Sequence, residues 1–341
     1  MDVEKTILKL ASQRKKFKTA DVVERLEDNI SRQFVSRVIN ELVKQGKLAK
    51  SGSTRSASYA LPEKAAFLGN RVKKRILNNR IKEHEVFDDL IRQAVFLKGL
   101  KRNVLNSFAY AFSEMLNNAI EHSGSKNIEV EIEKRGNDLL FVINDFGVGV
   151  FKSIMRKNKL SSELEAIQDL LKGKTTTMPQ SHSGEGIFFT SKVSNVFILE
   201  SFGRRLRIDN IINDVFVEEL KPSKKGTKVI FRISASSNKN IERFFRKYQT
   251  EPKTFAFDKT EVRIKLHSLE TIYISRSQAR RVLAGLEKFK TVILNFDKVL
   301  TIGQGFADEI FRVFKSKHPQ IEIKAINTNK SVAFMIARVK K

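Results

Sequence analysis

The first 62 residues alternate short amphipathic stretches with polar breaks. In "EKTILKLASQRKKF" the apolar positions fall on one helical face. Thr19 and Ser31 stand where the N-caps of a second and a third helix are expected, and Gly46 stands where the third ends. Two short strands follow, "KLAKSG" and "SASYAL", around a Ser/Gly/Thr tip. The pattern predicts three helices and a hairpin over residues 1–62.

The middle of the chain changes from a helical to a strand period. In "SFAYAFSEMLNNAIEHSG" the residues Phe108, Phe112, Met115 and Ala119 form an apolar stripe at helical spacing. After it "IEVEIE" alternates, "RGND" turns and "LLFVIND" returns, which predicts an antiparallel strand pair. The preceding residues 63–103 are charged and favour helix. They are either a coupling helix between modules or an N-terminal extension of the next domain.

From about residue 250 strands and helices alternate. The strands are "EVRIKL", "TVILNF" and "IEIKAINT", and the helices are "SRSQARRVLAGLEKF", "GQGFADEIFRVFKSKH" and "SVAFMIARV". Such a βαβαβα succession predicts a separate α/β domain over 250–341.

Composition narrows the class of protein. The 341 residues include no cysteine, which excludes disulfides, thiolate metal sites and a cysteine nucleophile. No apolar run approaches the roughly 18 residues of a membrane span, and the start "MDVEKTILKL" has no signal-peptide pattern. We therefore expect a soluble cytoplasmic protein. The net charge of +26 favours an anionic partner, most simply nucleic acid, although a lysine-rich proteome with solvated surfaces also gives such a value.

The third predicted helix has outward side chains of the types that can read base edges. Arginine suits guanine, and asparagine or glutamine suits adenine. Residues 1–62 hold 13 Lys and Arg against 7 Asp and Glu. The outward polar residues of this helix are Arg32, Gln33, Ser36, Arg37 and Asn40, and Arg55 lies at the hairpin tip. The expected apolar face is Phe34, Val35, Val38, Ile39 and Leu42. The order of elements resembles the winged-helix DNA-binding family, whose third helix enters the major groove. The resemblance implies that these outward residues and Arg55 contact DNA. A helix-turn-helix used for protein contacts is the alternative.

Several polar and glycine positions of the middle region carry candidate chemistry. Glu114 and Asn118 lie one helical turn apart, so they point together. An asparagine oxygen suits Mg²⁺, and a carboxylate beside it can orient water or accept a proton. Asp145 ends a strand and is followed by Gly147 and Gly149, which allow close backbone approach.

Two further glycine motifs follow downstream. "SHSGEGIFF" places Gly184 and Gly186 before an apolar helix, where backbone N–H groups can bind phosphate. "KKGTKVIFRI" places Thr227 at the start of a strand.

Together, in this order, these motifs resemble the Bergerat-fold or GHKL ATPases, which include DNA gyrase and the histidine kinases. The resemblance implies that Asn118 holds Mg²⁺, that Glu114 activates water or an acceptor hydroxyl, and that Asp145 accepts from the adenine amino group. It implies that Thr227 supports this aspartate. The implied glycine positions are Gly147 and Gly149 beside adenine and Gly184 and Gly186 at the phosphates.

One position departs from that family. Phe188 stands where many members have a third glycine, so ATP turnover is less firmly implied than adenine binding. Lys172 and Lys174 fall where the family has its ATP lid and are either phosphate contacts or solvated lysines. A degenerate fold that no longer binds nucleotide is the alternative for the whole set.

The C-terminal region resembles STAS domains, the fold of anti-sigma-factor antagonists. It is more similar to the STAS-like module that follows a helix-turn-helix and a GHKL ATPase in bacterial proteins, with "FADEIF" at 306–311 as the marker. No serine occurs between Ser277 and Ser316, so the antagonists' phosphorylated serine has no counterpart, and Thr301 is the only hydroxyl near the expected position. Asp308 and Glu309 are interpreted as helix-start acids, with contacts to the ATPase as the alternative.

The sequence thus predicts a multidomain α+β protein. Its predicted parts are a winged helix at 1–62, a helical connector at 63–103, a Bergerat-fold α/β sandwich at 104–249 and a STAS-like βα domain at 250–341. The first functional hypothesis is an ATP- and Mg²⁺-binding regulator of the bacterial type that binds DNA, with a protein partner for the STAS-like domain. The alternatives are a serine/threonine kinase or slow ATPase of the anti-sigma type, and a switch that sequesters a protein partner.

Overall fold

A computed structural model describes residues 2–26, 30–52, 57–79, 81–173, 185–248, 257–263 and 272–340. The chain divides into two compact units. One comprises residues 1–149 and 194–239, and the other comprises residues 150–193 and 240–341. Among the residues so described, no helix is long and apolar enough to cross a membrane.

The first unit begins with three helices and two short strands. These elements are α1 (Val3–Gln13), α2 (Thr19–Val23), α3 (Arg32–Lys44), β1 (Ala49–Ser51) and β2 (Ser58–Ala60). Ser31 caps α3, because its Oγ accepts from the Phe34 N–H at 3.2 Å. β1 and β2 pair antiparallel, and Phe17 adds a bridge to Tyr59. One expectation was wrong: Phe34 is 41% exposed rather than part of the apolar face. It lies one turn before Arg37, whose guanidinium sits 5.1 Å from its ring.

Residues 63–103 are not a helical connector. They form a 3₁₀ segment (Pro62–Leu68), strand β3 (Arg71–Leu77), helix α4 (Glu83–Gln93) and a short 3₁₀ turn (Val95–Leu97). In β3, Val72 and Ile76 are buried and charged side chains lie between them. β3 pairs antiparallel with β4, so this segment extends the following domain.

A five-stranded antiparallel sheet forms the core of this unit. Its order is β3-β4-β5-β7-β6, with β4 (Asn127–Arg135), β5 (Asp138–Asp145), β6 (Val196–Asp209) and β7 (Asp214–Ser234). Helix α5 (Arg102–His122) packs on one face. There Phe108 and Phe112 each lie 5.4 Å from the Phe141 ring in edge-on contact. This packing positions α5 against the strand that ends at Asp145.

The second unit joins the middle of the chain to its C-terminal part. Its helices are α6 (Val150–Lys157), α7 (Glu163–Lys172), α8 (Gly186–Val193), α9 (Ile241–Lys247), α10 (Arg276–Leu283), α11 (Gln304–Asp308), α12 (Lys315–Lys317) and α13 (Lys330–Val339). Strands β8 (Lys259–Arg263), β10 (Thr291–Asn295) and β12 (Glu322–Ile326) form a parallel sheet. β9 (Ile272–Tyr273) and β11 (Thr301–Ile302) form a parallel pair.

Asp308 and Glu309 are not helix-start acids. Their helix begins at Gln304, and they lie where α11 passes into a π-helical stretch over Glu309–Phe314. Asp308 pairs with Arg276 at 2.9 Å and with Arg312, and Glu309 pairs with Arg280 at 2.8 Å. Both carboxylates therefore form ion pairs inside the C-terminal part itself.

Candidate functional site

Asp145 is a buried carboxylate at the end of β5, with 4% of its surface exposed. Its Oδ1 accepts from the backbone N–H of Gly147 at 2.9 Å and from that of Thr227 at 3.1 Å. The Thr227 side chain also hydrogen-bonds to it. A carboxylate has about four lone-pair positions, so acceptor capacity remains for a ligand donor.

The surroundings of Asp145 act on its pKa in opposite directions. Burial raises the pKa of this carboxyl, while hydrogen bonds from Gly147 and Thr227 and the charge of Lys224 oppose the rise. The predicted pairing of Thr227 with Asp145 is thus present in the geometry. It joins β5 to β7 next to their last paired residues, Asn144 and Lys228.

The glycines around Asp145 are required by contacts within the protein. A Cβ on Gly147 would collide with the carbonyl oxygen of Ser123, and one on Gly226 would collide with that of Asp145. Gly149 has a φ of +81°, and its Cβ would lie 2.5 Å from the Phe202 ring. Close backbone approach at these positions therefore already serves packing, independently of any ligand.

Glu114 and Asn118 lie one turn apart on α5, and both are half-buried. The C-terminal end of this helix is fixed to the loop after β5. The Val148 N–H donates to the Ser123 carbonyl at 2.9 Å, and the Phe146 N–H donates to Ser125 Oγ at 3.1 Å. The first unit therefore holds α5 and the Asp145 loop in a defined arrangement.

The predicted phosphate residues belong to the second unit or are not described. Gly184 and Lys174 lie outside the described residues, and Gly186 begins α8. Two residues on, Phe188 is 2% exposed, and its ring lies 4.9 Å from that of Tyr248 and 4.8 Å from that of Phe257. The aromatic side chain that stands in place of a third glycine is thus a core residue.

Lys172 does not present its ammonium group to solvent. It is 3% exposed, and its Nζ donates to the carbonyls of Arg281 at 3.1 Å and Ala284 at 2.8 Å. Burial lowers the pKa of Lys172 to about 8. This lysine caps the C-terminal end of α10, so both the phosphate contact and the solvated lysine considered from the sequence were wrong.

A second candidate site lies on α3. Arg32, Gln33, Arg37 and Asn40 are exposed and Ser36 is half-buried, and these five side chains line one groove of about 840 Å³. Arg55 lies outside the described residues. Sequence reasoning missed the opposite side of this groove, which is lined by Asp89, Arg92 and Gln93 of α4. Nothing in the sequence around these residues relates them to α3, because only the tertiary fold packs α4 beside it.

The residues near Asp145 and on α5 fit a magnesium nucleotide. An asparagine oxygen is a hard ligand, and magnesium commonly takes one or two protein ligands together with substrate phosphates. A buried carboxylate with remaining acceptor capacity suits an exocyclic amino group.

Comparison with known families assigns two parts of the chain. Residues 104–237 match the histidine kinase-, DNA gyrase B- and HSP90-like ATPases, and residues 278–333 match a STAS-like domain of unknown function. The comparison with curated proteins gave no match. The predictions of a GHKL-type ATPase domain and of a C-terminal STAS-like domain are confirmed, and the N-terminal winged helix stays a prediction. The chain therefore combines a GHKL-type ATPase domain with a STAS-like domain.

Proposed function

We propose that this protein is an ATP-dependent DNA-binding regulator, in which Mg-ATP at the GHKL domain controls the N-terminal helices and the STAS-like domain. The observation that carries the nucleotide part is the arrangement at Asp145, a buried carboxylate with donors from Gly147 and Thr227. Its family context supports the same function.

Asp145 would select adenine by accepting a hydrogen bond from its amino group. The donors from Gly147 and Thr227 keep the carboxylate in one orientation, and burial excludes water that would compete for it. A hydrogen bond to a charged acceptor contributes about 1.5 to 3 kcal/mol. Guanine has a carbonyl oxygen at that position and would place two acceptors together.

Asn118 would hold the magnesium ion through its side-chain oxygen, and Glu114 would accept the proton of the attacking hydroxyl or water. When bound, ATP would supply the phosphoryl group, and the magnesium ion would neutralise part of the charge of its phosphates. The position of both side chains on one face of α5 supports this division of roles.

The N-terminal helices would contact DNA through α3. The exposure of Arg32, Gln33, Arg37 and Asn40 along one face of this helix supports the proposal, as does the net charge of +26. Titration of full-length protein with duplex DNA, with and without Mg-ATP, tests it. We expect salt-dependent binding that Mg-ATP changes. Equal affinity in both conditions would refute nucleotide control, and no binding at low salt would refute DNA binding.

A second candidate function is phosphotransfer or slow hydrolysis of the anti-sigma type, favoured by Glu114 one turn before Asn118. Incubation with γ-labelled ATP distinguishes it, because a kinase labels a protein and a hydrolase releases labelled phosphate. Glu114→Gln should abolish either activity and leave ATP binding intact.

For the STAS-like domain we propose a role as a partner surface. Thr301, the hydroxyl residue of the stretch where the antagonists carry their serine, hydrogen-bonds to Ser331 at 2.9 Å.

A further inference from the structure

The groove beside α3 has two walls from distant parts of the chain. One wall is α3 itself, with Lys50 of β1 next to it, and the other is the C-terminal half of α4. α4 is held in place by its buried Val86 and Leu90 and by the Phe87 ring, 5.2 Å from that of Phe112 on α5. The opposite wall is therefore a packed helix of the same compact unit.

Cations predominate along this groove. It is lined by two acids, Glu41 and Asp89, and by five basic residues, Arg32, Arg37, Lys44, Lys50 and Arg92. Asp89 is already neutralised, because Lys74 Nζ lies 2.6 Å from its Oδ2 and Gln93 donates to the same oxygen. The exposed Glu41 pairs with Lys44 at 3.9 Å. The net field in the groove is positive, which suits a polyanion.

α4 turns its one arginine toward the groove and turns three of its four acids away from it. α4 holds four acids and one arginine, and three of the acids, Glu83, Glu85 and Asp88, do not line the groove. Its arginine, Arg92, does line it, with 70% of the side chain exposed. Its contact with Asp89 at 3.5 Å is a surface ion pair of small strength. If α4 instead covered the outward residues of α3 by imitating DNA phosphates, its acids would line the groove.

We propose that this groove takes one sugar-phosphate strand of duplex DNA, with Lys44, Lys50 and Arg92 as phosphate contacts beside the base-reading residues of α3. The inference rests on the proposed DNA binding by α3. A major groove about 12 Å wide admits one helix, so α3 enters it and α4 lies outside, against the flanking strand. The DNA interface thereby extends from the N-terminal helices to α4, which also packs on the helix that carries Glu114 and Asn118.

Arg92→Gln in the full-length protein tests this inference. The matched control is Arg102→Gln, an exposed arginine of the same unit that does not line the groove. Binding of a labelled mixed-sequence duplex is measured by fluorescence anisotropy over a series of salt concentrations. We expect Arg92→Gln to weaken binding of all sequences alike and to reduce the salt slope by about one unit. Arg92→Lys should retain the slope, because the charge is kept, and the control should match the wild type.

The possible outcomes separate the inference from its premise. If the wild type and the control bind DNA but Arg92→Gln binds with the same affinity and slope, the groove does not take the strand. If Arg92→Gln binds more tightly, α4 covers the reading face, and the inference is also overturned. If the wild type shows no salt-dependent binding, DNA binding itself fails. Unchanged circular dichroism and melting temperature exclude misfolding of the variant.

Discussion

At the scale of single residues, the orientation of Asp145 depends on groups far apart in sequence. Gly147 lies in the next turn, whereas Thr227 is contributed by β7, and both donate to the same carboxylate oxygen. Because the carboxylate is buried, these bonds are not exchanged for water, and the side chain cannot change rotamer without losing them. A ligand amino group would therefore meet an acceptor whose position is already determined.

Asp145→Asn should weaken ATP binding about tenfold to a hundredfold, because a neutral amide replaces a charged acceptor and adds a donor. Isothermal titration with ATP and with GTP measures the loss and the change in preference. Asp138→Asn, at the start of the same strand and paired with Arg232 at 3.5 Å, is the control. Wild-type affinity in Asp145→Asn would contradict the adenine assignment.

Asn118→Ala should remove only the magnesium-dependent part of nucleotide binding, since the asparagine oxygen is proposed as a metal ligand. Affinities for ATP measured with Mg²⁺ and with chelator should differ in the wild type and converge in the variant. The neighbouring Asn117→Ala serves as a control on α5. A variant that keeps the full effect of Mg²⁺ would show that another group holds the ion.

At the scale of elements, residues on both sides of 174–184 are packed into the core of the second unit. At the end of α7, the Lys172 carbonyl accepts from Thr260 Oγ1 at 2.6 Å. A Cβ on Gly173, which has a φ of +84°, would lie 2.7 Å from the Phe257 ring. At the start of α8, Phe188 packs against the same ring. The ATPase-family sequence and the C-terminal part thus share one aromatic core, which explains why a phenylalanine stands in place of glycine.

The buried Lys172 predicts a pH dependence of stability. Its pKa falls from 10.5 to about 8 on folding, so the folded state binds fewer protons between these values. Stability should therefore rise with pH from about 8 to 10.5, and this contribution is lost as pH falls through 8. The shift corresponds to a change on the order of 3 kcal/mol in the free energy of unfolding. Lys172→Met should reduce this rise in unfolding free energy without abolishing it, because burial also lowers the pKa of Lys239 to about 8, and denaturant titration at both pH values measures the reduction.

The exposed Lys330→Met on α13 controls for removal of one lysine. Its pH dependence should follow that of the wild type. If Lys172→Met also retains the wild-type rise, the Lys172 ammonium group is hydrated in solution.

At the scale of the whole molecule, the two compact units do not coincide with the residue ranges of the two family matches. The ATPase match covers 104–237, whereas residues 150–193 belong to the unit that contains the STAS-like match at 278–333. The chain passes from the first unit to the second between residues 239 and 240, and residues 150–193 belong to the second unit as well. We therefore expect residues 150–193 to unfold cooperatively with residues 240–341.

The proposed role of α3 predicts sequence-specific losses. After a preferred site is selected from a random library, Arg32→Ala or Arg37→Ala should each cost about 1 to 3 kcal/mol on that site. Binding to unrelated duplexes should fall much less. Lys126→Ala, an exposed lysine beyond α5, is the control. An equal loss on all sequences would assign these arginines to phosphate contacts, and no loss would place the DNA interface elsewhere.

Periodicity and local chemistry determine much of this protein. The apolar stripe of α5, the alternation of β4 and β5, and the motif around Asp145 all follow from neighbours within one or two turns or strand repeats, where side-chain direction is set by backbone geometry. The family matches to the ATPase and STAS-like regions rest on the same local information.

The tertiary structure decided what depends on distant partners. The charged segment at 71–77 is a strand because β4 supplies its hydrogen bonds, with Arg71 opposite Glu133. Lys172 is buried because the carbonyls of α10, more than a hundred residues away, accept from it. Arg92 lines the groove of α3 because α4 packs beside it. In each case the deciding contact joins residues that no local pattern relates, and at 71–77 the pairing with β4 also outweighs the helical propensity of the segment.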